Sequence, residues 1–297
     1  MTLDQKIDYN KGQAEKYEWK PEWFGASDFN GELVSKIKEF QKEHGLSPDG
    51  LCGPSTYRRL FTERESEIDT DYINQHSNAK KYIVHNSTPV EIHWDKVILW
   101  NDDNGLSCRK GSYTDRSGKL ERHPDIFVTH WDVCLSSRSC AKVLSKRGLS
   151  VHFCIDNDGT IFQLLDTQHI AFHAGSFNRK TIGVEVSTAY SLKYQNWYKK
   201  KGFGERPIWD NAKVHGSTLK PFLGFYDVQI DALAALYEAI SRACGIPLKS
   251  PPEKNHTSRE ISAGEFSGFC SHYHLTRRKI DCAGLDLDMV IEKANGL

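Results

Sequence analysis

The chain has 297 residues, enough for one large domain or a large and a small one, and its 38% apolar and 26% charged residues are an ordinary globular composition. A net charge of zero argues against a dedicated nucleic-acid binder, whose phosphate contacts need a basic surface. No apolar run approaches the roughly 18 to 20 residues of a membrane span. The first residues, MTLDQKIDYNKG, lack the apolar core of a secretory signal. Eight cysteines scattered singly, with no CxxC pair, read as reduced thiols, so any metal site must be assembled from dispersed residues.

Residues 31–62 form the core of a small N-terminal helical domain spanning 1–62. Leu33, Ile37 and Phe40 make the stripe of an amphipathic helix that Gly45 stops. A turn at Ser47-Pro48-Asp49-Gly50 follows, and Pro54 opens a second helix carrying Tyr57 and Leu60 inward. The stretch FQKEHGLSPDGLCGPSTYRRL resembles the type 1 peptidoglycan-binding repeat, with its FQ pair, its DGxxGPxT turn and the helix beyond. That resemblance implies a module that targets the cell wall. The polar stretch 63–81 reads as a linker to a second domain, 82–297.

The second domain alternates strands and helices. IFVTHWDV (126–133) is a strand, SSRSCAKVLSKRG (136–148) a helix closed by Gly148, and LSVHFCID and TIFQLLD a hairpin around Asn157-Asp158-Gly159. TIGVEVS (181–187) is a strand, 227–245 a long amphipathic helix, FCSHYHL (269–275) a strand-like run and LDLDMVIEKA a closing helix. The fold class is α/β: a mixed central β-sheet flanked by helices, beside the small helical domain.

A catalytic zinc needs about three ligands from His, Cys and carboxylate, with one position open to water. Candidates at element ends are His130, the pair His272 and His274, and Asp281 or Cys282. Glu185 lies inside an otherwise apolar strand, where a carboxylate is costly unless paired or used. Structural histidines and an edge-strand glutamate are the plain alternative.

FVTH, LSVHFCIDNDGTIFQLLD, AFHAGSFNRKTIGVEVS and SHYHLTRRKIDCAGLD, in that order over about 160 residues, resemble the type 2 N-acetylmuramoyl-L-alanine amidase family, which includes peptidoglycan recognition proteins and phage lysozyme-type amidases. The resemblance implies a sheet flanked by helices with one zinc ion (Zn2+) in a surface groove. His130 matches the first ligand, in preference to His85 of YIVHNS, because the helix and SVHF hairpin follow it directly. His272 matches the second, with His274 two residues on and, in a strand, on the same face. Asp281 matches the third, since Lys279 precedes it by two residues, while Cys282 stays open as a softer ligand. Glu185 matches the catalytic glutamate and Lys279 the group that steadies the oxyanion. His173 and Asn178 match positions beside the groove that contact substrate or support the site, and His152 falls where relatives carry a tyrosine-histidine pair.

The implied reaction is hydrolysis of the amide between N-acetylmuramic acid and L-alanine. The expected partner is peptidoglycan, with no nucleic acid, no membrane span and a monomeric chain. Synthesis in the bacterial cytoplasm and action on the wall after release fit a phage endolysin. A wall-turnover, recycling or toxin amidase and a non-catalytic peptidoglycan receptor are the alternatives. The segments 82–125 and 188–226 match no block of the family.

Overall fold

In the computed structural model, which describes residues 1–68 and 79–297, the chain divides into two compact units, 1–70 with 133–135 and 71–132 with 136–297. The first is helical: α1 (Leu3–Tyr17), α2 (Gly31–Glu43) and α3 (Pro54–Glu67). Residues 63–67, expected to begin a linker, complete α3, and 69–78 of that linker lie outside the described residues. Sequence reading missed α1, although Thr2 and Gln5 form a reciprocal capping box at its start. Its Tyr17 stacks on Tyr57 at 4.5 Å over a core of Leu33, Ile37 and Leu60.

The turn before α3 is held by two buried amides. Asn10 donates to the Gly50 carbonyl (3.0 Å) and accepts from the Cys52 N–H (2.8 Å). Gln41 accepts from the Gly50 N–H (2.8 Å) and donates to Asp49, Leu51 and Thr56. Gly50 has φ +79°, and a Cβ there would lie 2.8 Å from Val34. The Gln of the FQ pair and the Gly of the DG turn are therefore one device for shaping this loop.

The second unit is built on a six-stranded sheet: β1 (Val97–Leu99), β2 (Ile126–Trp131), β3 (Phe153–Ile155), β4 (Ile161–Gln163), β5 (Thr181–Val186) and β6 (Gly268–Ser271). Their order is β6-β2-β5-β3-β4-β1, and only β3 and β4 run antiparallel. All these strands are buried along their whole length, as their apolar runs require of a sheet covered on both faces. β3 and β4 join through the predicted turn, where Gly159 takes φ +82°. Helix α4 (Ser137–Arg147) starts at its Ser136 cap and ends at left-handed Gly148. Helix α5 (Asp227–Cys244) packs against α6 (Leu287–Asn295) and reaches the sheet through Tyr237, whose hydroxyl lies 2.6 Å from that of Thr129. No helix among the described residues is long and apolar enough to cross a membrane.

The two segments that match no family block are both tied into the sheet domain by buried arginines. Segment 82–125 supplies edge strand β1 and buried Arg122, whose guanidinium donates to the carbonyls of Thr167, His169, Asn178, Arg179 and Thr181. Segment 188–226 is anchored by fully buried Arg206, which donates to the carbonyls of Ser187 and Gly224 and lies over the rings of Tyr198 and Tyr226. Trp209 of the same segment fills the space that side chains at Gly224 and Gly284 would occupy.

Candidate metal centre

His130 is the fifth residue of β2 and Glu185 the fifth of β5, and they are register partners in this parallel pair. Partners in register project to the same side of a sheet, so imidazole and carboxylate share one face near the strand ends. Both are buried, at 2% and 6% exposure.

Beyond β6 the chain makes a 3-10 turn, His272–His274, rather than continuing extended. This corrects the expectation that His274 shares a face with His272. Successive residues of a 3-10 turn rotate by about 120°, so residues two apart diverge. His274 accepts from the Ser271 N–H (3.1 Å) and donates to the Glu253 carbonyl (2.8 Å), a wholly structural arrangement. His272 instead turns towards Asp281.

Asp281 arrives on a run of turns, Lys279 to Thr276, Ala283 to Ile280 and Leu285 to Cys282, and its carbonyl accepts the Tyr273 N–H at 2.9 Å. Its Oδ2 lies 3.1 Å from His130 Nδ1 and 3.0 Å from His272 Nδ1. The three side chains are buried, with their ligand atoms within 4.8 Å of one another. Cys282 is fully buried outside this trio, and burial pushes its thiol well above the usual range.

Burial and the neighbouring His272 lower His130 to about 4. Burial opposes the charge of Asp281, yet His272 and His130 hold its carboxyl well below the ordinary carboxylate range. A neutral imidazole and an ionised carboxylate are the states a metal requires. Two ring nitrogens and one carboxylate oxygen around one point are a donor set that could hold a metal ion such as zinc.

His173 sits behind His130, its Nδ1 2.9 Å from His130 Nε2 and its Nε2 3.2 Å from the Thr181 hydroxyl. Asn178 Oδ1 accepts the N–H groups of His173 (3.1 Å) and Ala174 (2.7 Å). Both residues are thus placed to support the cluster. His152, fully buried, accepts from the Gly183 N–H and donates to the His169 carbonyl; burial and Arg122 lower it to about 3. His85 is buried against the Thr167 hydroxyl (2.6 Å), away from the trio. Lys279 is exposed, its charge disfavours protonation of His130, and its carbonyl accepts from His215 of the 188–226 segment (2.9 Å).

Sequence reading missed Thr181, Gly183 and His215. Gly183 carried a signal, because a lone glycine inside a strand marks a close approach. A Cβ there would lie 2.5 Å from the His173 ring.

The family model of N-acetylmuramoyl-L-alanine amidases matches residues 120–281, more than half of the chain and all three members of the cluster. The chain belongs to the N-acetylmuramoyl-L-alanine amidase family. A peptidoglycan binding domain model matches residues 25–60, so this amidase carries that domain ahead of its sheet. No curated protein matches the amidase chain in sequence. Similar solved structures include the endolysin amidase LysCS of Clostridium intestinale URNW, at 13% identity and TM-score 0.40, covering 68% of this chain and 97% of that one. The Ph2119 endolysin of the Thermus scotoductus MAT2119 bacteriophage Ph2119 has 16% identity and TM-score 0.38, with 67% and 99% covered. AmiD of E. coli, solved with anhydro-N-acetylmuramic acid-L-Ala-D-gamma-Glu-L-Lys, has 17% identity and TM-score 0.39, with 62% and 66% covered.

Proposed function

We propose that this amidase is zinc-dependent, cleaves the bond between N-acetylmuramic acid and L-alanine, and acts on intact wall as an endolysin. The observation that carries the reading is the convergence of His130 Nδ1, His272 Nδ1 and Asp281 Oδ2 on one buried point. Zinc held there would supply Lewis acidity and an acidified water.

The chain's own residues do the rest. Glu185, on the same sheet face as His130, takes the proton of the attacking water and returns it to the leaving amine. Lys279, the exposed cation two residues before Asp281, steadies the negative charge growing on the amide oxygen. His173 and Asn178 keep His130 and its surroundings in place.

A peptidoglycan-binding domain favours insoluble wall over soluble recycled fragments, because tethering raises the local concentration of bonds to cut. Purified sacculi should lose turbidity with the protein, stop losing it with chelator, and resume on adding zinc. Unchanged turbidity in the presence of zinc would overturn the endolysin reading, and cleavage of a soluble muropeptide would then separate a recycling amidase from a non-catalytic receptor.

A further inference from the structure

A metal-binding histidine usually donates its outer N–H to a carboxylate, a carbonyl or water. Here the atom facing His130 Nε2 is a ring nitrogen of His173, 2.9 Å away. Two facing nitrogens need one proton between them, and which ring carries it decides whether His130 Nδ1 has a lone pair to give.

The rest of the hydrogen-bond chain supplies the answer. The Phe177 carbonyl can only accept, and the Thr181 hydroxyl lies 3.1 Å from it and donates there. That hydroxyl has one proton, so it meets His173 Nε2, 3.2 Å away, with a lone pair. His173 must therefore carry its proton on Nε2 and present a bare Nδ1. His130 then donates from Nε2, and its Nδ1 meets Asp281 Oδ2, 3.1 Å away, as a second acceptor, a pair that a cation between the two atoms reconciles. The opposite assignment would set the Thr181 oxygen and the Phe177 carbonyl facing each other as two acceptors, which burial makes costly.

We infer that His173, oriented by Thr181, is a positioning residue that holds His130 in the Nε2–H tautomer with its Nδ1 lone pair aimed at the cation. The surroundings are shaped for this ring. Gly183 leaves room for it, Asn178 fixes the backbone of residue 173, and Arg122 holds the carbonyls of Asn178 and Thr181 on either side. The inference rests on the reading of His130 as a zinc ligand.

The test is zinc affinity, measured on the full chain with zinc alone against a chromophoric chelator, together with the nitrogen NMR signature of the His130 ring in zinc-loaded protein, where Asp281 no longer competes for a proton on Nδ1. Thr181→Val removes the hydroxyl at nearly constant size and should weaken zinc about 10-fold or more, with Thr181→Ser restoring it. His173→Ala should weaken zinc by about 10- to 100-fold. In the zinc-loaded wild type the His130 proton should sit on Nε2, facing His173. A merely structural role would lower the melting temperature while leaving zinc affinity unchanged, and that result overturns the inference. So does a zinc-loaded wild type whose His130 proton sits on Nδ1. A wild type that binds no zinc overturns the metal reading itself, a different failure from wild type and variants binding zinc equally.

Discussion

Two buried polar clusters, one in each unit, are built from the same kinds of atom and end in opposite states. Around the turn of the first unit, Asn10 and Gln41 match donors to acceptors: amide N–H groups meet carbonyl or side-chain oxygens, and amide oxygens meet backbone N–H groups. In the second unit His130, His272 and Asp281 bring two ring nitrogens and a carboxylate oxygen, all able to offer lone pairs, towards one point. A network that closes on itself shapes a loop, whereas one whose lone pairs converge calls for a cation. The difference lies in what the flanking residues donate, not in burial.

The largest expected effect breaks the second cluster. Asp281→Ala should abolish both stoichiometric zinc, by metal analysis, and turnover, while Cys282→Ser keeps both; loss of zinc in the cysteine variant would move the ligand by one residue. Glu185→Gln should cut hydrolysis by about 10²-fold with zinc retained. Near-normal turnover of that variant would take Glu185 out of the chemistry.

Smaller effects test the closed cluster and the charge states. Gln41→Ala strands the Gly50 N–H, buried beside it, and should cost about 1–3 kcal/mol in denaturant unfolding of the first unit. Sacculus binding should weaken, and cleavage of a soluble muropeptide should stay within about twofold of wild type. Equal loss on both substrates would contradict separate roles for the two clusters.

The last test is pH. His130 and His152 have folded values of about 4 and 3, below an ordinary 6.5. Below pH 6.5 the unfolded chain therefore binds more protons than the folded one, and stability falls as pH falls until the folded values are passed. Zinc-free protein should lose about a few degrees of melting temperature between pH 6.5 and 5.5. A flat or rising profile would mean that these rings are charged in the fold.

Much of this was legible in the sequence where local chemistry decides the outcome. The Asn157-Asp158-Gly159 hairpin, the apolar run of β5 and the left-handed stop at Gly148 all follow from backbone preference or burial pattern. The second-ligand region was misread for a physical reason. Phe269, Cys270 and Ser271 read as strand and are strand, but nothing in His272-Tyr273-His274 announces the 3-10 turn, which the Ser271 and Glu253 contacts of His274 accompany. Asp281 joins the cluster on a run of turns, a geometry that no periodicity in the sequence announces. Strand β1 and the Arg206 anchor were missed because a three-residue strand carries no period and Arg206 is buried among neutral carbonyls rather than carboxylates.

The pairing of His130 with Glu185 also sets how such a chain can vary. Side chains alternate along a strand, so deleting one residue upstream of His130 within β2 would swap the strand's two faces and remove the imidazole from beside the carboxylate. Deleting two would restore the face but displace the ring by about 7 Å along the sheet. Substitutions at Phe127 or Val128 meet only a packing requirement, whereas changes of length meet a counting rule. Insertions are accommodated after the strand ends, and there the 188–226 segment begins, two residues beyond Val186.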